Sequence, residues 1–167
     1  MLMNTPTRSA VGLAALGTLL VVAYAAWAAF QILVLNPLAA VPGMSVGDVH
    51  AAMTAAEQWT GPASVYAPLG VGVLLAVGMF LVVISTGTPA ITTVAAYLAL
   101  LVLGAPGYFW ASFGVGMGLA DTFNIGGGDH SPWSLPLYAV SLAALVGLAV
   151  IGASSLLRRP HSAAALA

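Results

Sequence analysis

Four long stretches of this chain, residues 10–35, 66–85, 89–120 and 133–157, contain no Asp, Glu, Lys, Arg or His. A hydrocarbon layer of about 30 Å takes about 20 helical residues to cross, and each stretch is long enough. Lipid offers no hydrogen bonds to the backbone, so a spanning segment must satisfy its own N–H and C=O groups, as an α-helix does. The expected fold is therefore an all-α integral membrane protein: a four-transmembrane-helix bundle forming one membrane domain over residues 1–167. Composition agrees, since 61% of the 167 residues are hydrophobic and 4% are charged, against about a quarter charged in a soluble domain. The third stretch is longer than a span needs, so it should tilt, bend or project beyond the bilayer.

Turn chemistry separates the spans. Asn36-Pro37 and Val41-Pro42-Gly43 are expected to end the first helix, and Gly87-Thr88-Pro89 to join the second and third as a tight antiparallel hairpin. Gly126-Gly127-Gly128, Asp129 and Ser131-Pro132 divide the third from the fourth. Arg8 precedes the first span and Arg158 and Arg159 follow the last, while Asp48, Glu57, Asp121 and Asp129 all fall in the two longer loops. Arginine near span ends marks the cytoplasmic side. Both termini are thus expected in the cytoplasm of a cell-membrane protein, with the acidic loops outside. Alanine-rich sequence around Ala23 to Ala29 has the look of a signal cleavage region, but the apolar run far exceeds the roughly 7–15 residues of a signal core, so an uncleaved span is expected.

Residues 45–59 are expected to form a short extracytoplasmic amphipathic helix. Ser45 can cap it, Asp48 suits its positive N-terminus, and Val46, Val49, Met53 and Ala56 form one apolar stripe. No basic residue lies on it, so it is a spacer or lid rather than a lipid-targeting device.

The same residues exclude much chemistry. Without cysteine there are no disulfides, thiolate metal sites or thiol relays, which rules out the disulfide-transferring four-helix oxidoreductases. With three basic residues there is no nucleic-acid footprint. Spans free of titratable groups argue against proton pumping, voltage sensing and embedded bis-histidine haem. Gln31 is the most deeply set amide, and such groups more often bond across helices than bind substrate. No Gly-x-Ser-x-Gly elbow is present, and Gly126 to Gly128 lacks the Lys-Ser/Thr of a phosphate loop.

Three kinds of candidate site remain. His50, Glu57, Asp129 and His130 reach one side of the membrane, where imidazole and carboxylate together suit a divalent metal, although no established ligand spacing links them. Trp27, Tyr108, Phe109 and Trp110 belong to an aromatic excess in the same half, which suits a lipid tail or quinone ring but also serves as interfacial anchoring. Gly72 and Ala76, Gly114 and Gly118, and Ala143 and Gly147 form small-residue ridges on the second, third and fourth spans, where backbones can approach closely. Pro106 has no N–H for the carbonyl of Val102, so the third span should bend there.

The first expected function is a non-catalytic accessory or assembly subunit of a larger complex, partnered by other integral membrane subunits and lipids. The second is a small transporter or a lipid- or quinone-binding protein with its site in the outer half. The third is an enzyme or metal-binding protein using the His and carboxylate set. Catalysis is the less favoured class, and no cofactor is required, with quinone, lipid or a divalent metal as the candidates.

Overall fold

The computed structural model describes residues 7–157. Arg158 and Arg159, on which half of the orientation argument rests, lie outside the described residues. Four apolar helical segments are long enough to cross a bilayer: Arg8–Ala40, Ala63–Thr86, Ala90–Phe123 and Pro132–Leu157. The chain is an all-α membrane bundle and a multi-pass membrane protein.

The first span is compound. Thr7 caps α1 (Arg8–Phe30) by accepting the N–H of Ala10 on its hydroxyl. A π-helical turn, Gln31–Leu35, follows and runs directly into α2 (Asn36–Ala40). Asn36-Pro37 therefore does not end the helix. Asn36 N–H bonds to the carbonyl of Gln31, five residues back, and this widened turn lets the helix continue past the proline. The wider turn also aims Gln31 and Asn36 inward, and both are buried.

The amphipathic helix α3 spans Val46–Ala55, shorter than expected. Ser45 accepts the N–H of Asp48 and donates to its carboxylate at 2.6 Å, closing the N-terminus as the sequence suggests. Val49 and Met53 are fully buried, whereas Ala56 has left the helix and is exposed. The second span, α4 (Ala63–Thr86), stops at Gly87, whose φ of 67° is the left-handed cap that glycine accepts without strain.

The third span is broken into α5 (Ala90–Val102) and α6 (Gly104–Phe123) at Leu103, three residues before Pro106. The break redirects the span. α5 packs on α1 and on the last helix, α7 (Leu135–Leu157), whereas α6 lies chiefly along α4. Ser141 of α7 donates to the carbonyl of Leu101 at 2.9 Å, tying the break to the fourth span. A short 3₁₀ turn, Pro132–Ser134, leads into α7.

α1 is the central helix, touching α4, α5 and α7. Toward the chain termini, Tyr97 is 4% exposed and its hydroxyl donates to the carbonyl of Ala76 at 2.9 Å. Its ring lies flat on Gly17, where any Cβ would overlap it. At the opposite end, which carries both long loops and all four acids, Tyr108, Met53, Val49, Val65 and Leu119 form a second apolar cluster. This acidic end holds the candidate sites.

Candidate functional site

A polar knot closes the acidic end. Two of its buried members flank the π-turn, Gln31 at its start and Asn36 just beyond its end: Gln31 donates its amide N–H to the carbonyl of Ser131 at 3.3 Å. The side-chain carbonyl of Asn36 accepts the backbone N–H groups of His130 at 2.7 Å and Ser131 at 3.3 Å. The glycine-rich loop is thereby pinned to the first span. Tyr108, on α6, donates to Oδ1 of Asp129 at 2.6 Å, and Tyr138, on the first turn of α7, donates to Oδ2 at 3.2 Å. The two tyrosine rings meet edge to face with centroids 5.6 Å apart. One loop carboxylate therefore bridges the third and fourth spans through both oxygens.

The level of the knot coincides with an aromatic belt. Trp27 donates its indole N–H to the carbonyl of Trp133 at 3.0 Å, with the rings 5.8 Å apart, and Phe30 packs on Trp27 at 6.0 Å. Indoles settle at the headgroup level of a bilayer, so Asp129 sits near the membrane surface rather than at its midplane.

The four metal candidates are not brought together. His50 stacks on Trp59 with centroids 4.0 Å apart, and burial holds its imidazole pKa below the usual 6.5. Its Nε2 is buried with no hydrogen-bond partner. Glu57 is exposed on a left-handed residue, φ 58°, just beyond α3. His130 places Nε2 2.8 Å from the carbonyl of Gly126, while Asp129 is engaged by tyrosines. Among the described residues no cluster of three or more His, Asp or Glu side chains is placed to hold a metal.

The aromatic candidates also separate. Tyr108 is fully buried, Trp110 is 76% exposed on the lipid face, and Trp27 belongs to the belt. Phe109 lines a pocket of about 220 Å³ with Asn36, Ser112, Phe113, Asp129 and Tyr138. A second cavity, about 230 Å³, lies between the first three spans at the break in the third. Its wall is formed by Val21, Tyr24, Pro68, Leu69, Gly72, Leu75, Leu101, Leu103 and Gly107, among others, and is almost wholly apolar.

The small-residue ridges divide by neighbour. Gly118 faces the carbonyl of Gln58 and the methyl of Met53, and Gly114 faces Thr60, so this ridge receives the loop helix and the segment that leaves it rather than another span. Gly147 meets Leu98 of α5, and Ala76 is fully buried beneath Tyr97, whereas Ala143 is exposed. Gly72 meets nothing within 4 Å and opens onto the cavity. Sequence reasoning missed Gly17 and Gly104, whose partners Tyr97 and Tyr24 come from other turns of the bundle. It also missed the pairing of Tyr108 with Asp129, because the two meet only when the loop folds back.

Comparison of the chain with known protein families, with curated proteins and with solved structures finds no match.

Proposed function

We propose that this chain is a small lipid-binding membrane protein that holds one hydrocarbon tail between its first three spans. The supporting observation is the apolar cavity at the break in the third span. At about 230 Å³ it falls below the ~300–1,000 Å³ of whole-ligand sites, so it suits a segment of acyl chain. Gly72 and Gly107 both line it, and a Cβ at either would meet nothing within 4 Å. Helix interiors favour alanine or leucine over glycine by about 1 kcal/mol, so two glycines facing empty volume keep space that a self-filled core would close. Tyr24 supplies the wall's polar tip, its hydroxyl 3.5 Å from Ser141 Oγ.

Orientation follows the same reading. Arg8 lies at the end opposite the four acids, which supports a cell-membrane protein with cytoplasmic termini and the polar knot outside.

Retained lipid, counted by native mass spectrometry after mild extraction, tests the proposal. Wild type should keep a lipid that Gly72→Leu and Gly107→Leu lose, with unchanged helicity. Equal retention in all three overturns it.

A second reading, an accessory subunit of a larger complex, is supported by the neighbouring exposed aromatics Phe109, Trp110 and Phe113, at 58%, 76% and 56% exposure. Aromatic anchors of this kind dominate protein interfaces. Stoichiometric co-purification of another membrane protein, lost on Trp110→Ala, would support it; a lone species in native-lipid particles would sink it.

A further inference from the structure

The pocket beside Asp129 is separate from the tail cavity, and it differs from it in chemistry. It lies on the other face of α6, at the level of the Trp27–Trp133 belt, and its wall combines one carboxylate with three aromatic rings: Asp129 with Phe109, Phe113 and Tyr138. Phe109 and Phe113 lean on each other with centroids 5.8 Å apart and are both more than half exposed to lipid. The carboxylate is oriented by Tyr108 and Tyr138, which supply hydrogen bonds but no positive charge. Among the described residues no protein cation is at hand to supply it. The chain has no Lys, and the one Arg among the described residues, Arg8, stands at the far end of the bundle. The adjacent His130 turns its Nε2 to the carbonyl of Gly126.

An uncompensated carboxylate fixed at a membrane surface attracts a cation. Aromatic faces within about 6 Å add to that attraction. We infer that this pocket binds the ammonium group of a zwitterionic lipid headgroup, with Asp129 as its counter-ion and Phe109, Phe113 and Tyr138 as its walls. A volume of about 220 Å³ accommodates a headgroup ammonium and its adjoining methylenes, not a whole lipid. The pocket's position beside lipid-exposed phenylalanines at belt depth makes a headgroup, rather than a soluble amine, the occupant.

The test is competition between phosphatidylethanolamine and phosphatidylglycerol with identical acyl chains, added to delipidated protein and counted by native mass spectrometry. Wild type should prefer the ethanolamine lipid by about tenfold or more, the order of one hydrogen bond to a charged group. Asp129→Asn should abolish the preference while its amide oxygen still accepts from Tyr108. Phe113→Leu, which leaves the hydrogen-bonded knot intact, should reduce it. Gly72→Leu should lower total lipid and leave the preference in place, which separates this site from the tail cavity. Equal retention of both lipids by wild type, or a preference that survives Asp129→Asn, overturns the inference. Binding of tetramethylammonium without any headgroup preference overturns the lipid assignment.

Discussion

Tyr108, fully buried within the third span, donates its hydroxyl to Asp129 Oδ1 at 2.6 Å across a separation of 21 residues. A loop carboxylate at the membrane surface thus reaches a phenol in the bundle core, and the glycine-rich loop becomes part of the fold. Asn36 holds the same loop from the first span through His130 and Ser131. Helices one, three and four are joined at one point by polar bonds.

The strength of that tie is measurable. A hydrogen bond to a charged partner contributes about 1.5–3 kcal/mol, and here the donor is buried. Tyr108→Phe should lower the thermal midpoint in detergent clearly. Tyr138→Phe should lower it less, because its bond is longer at 3.2 Å and its ring is 40% exposed. Equal midpoints for Tyr108→Phe and wild type would show that the tie contributes nothing to stability.

Ser141 donates to Leu101 at the helix break. Losing that bond should cost about 0.5–1.5 kcal/mol. Ser141→Ala is expected to destabilise the bundle and to raise amide exchange around residues 101–105, while Ser154→Ala, on an exposed turn near the end of α7, should change neither.

Gly118 is the seat of the loop helix. A Cβ there would come within 2.5 Å of the Gln58 carbonyl and 2.8 Å of the Met53 methyl. Gly118→Val should lift α3 from α6 and raise amide exchange across residues 46–58 with the spans unchanged. Gly114→Ala, whose Cβ would sit 3.7 Å from Thr60 Oγ1, should be tolerated. Matching exchange in the two variants would remove the packing role assigned to this ridge.

His50 makes α3 sensitive to acid. Its Nε2 is buried without a partner and burial lowers its pKa from 6.5, so the fold favours the neutral ring. A depressed folded pKa gives stability that is complete above the unfolded value and is lost as pH falls through the folded value. Amide exchange over residues 45–59 should therefore increase on acidification below about pH 6.5, and His50→Phe should flatten the profile. An exchange rate that ignores pH, after correction for intrinsic chemistry, would contradict this.

Much of the bundle is legible in the chain because lipid imposes a simple rule: uncharged runs of sufficient length must be helices. The Ser45 cap, the Val49–Met53 stripe and the helix break near Pro106 are local and follow from neighbouring residues. Pro37 misled because a proline usually stops a helix, whereas the π-turn at Gln31 absorbs it. The metal candidates His50, Glu57, Asp129 and His130 share a side of the membrane, which sequence reveals, but not a point in space, which it does not. The cavity escaped notice for a related reason: Gly72 read as a packing ridge, and only the diverging paths of α5 and α6 show that nothing packs there.

Photo-crosslinking offers the most direct measurement. A phospholipid carrying a diazirine in mid-chain, reconstituted with the protein and illuminated, should label residues 68–75 and 100–107, and Gly72→Leu should remove that labelling. Adducts confined to outward residues such as Leu81, Leu142 and Val150, with the same yield in wild type and Gly72→Leu, would contradict a tail held between the first three spans.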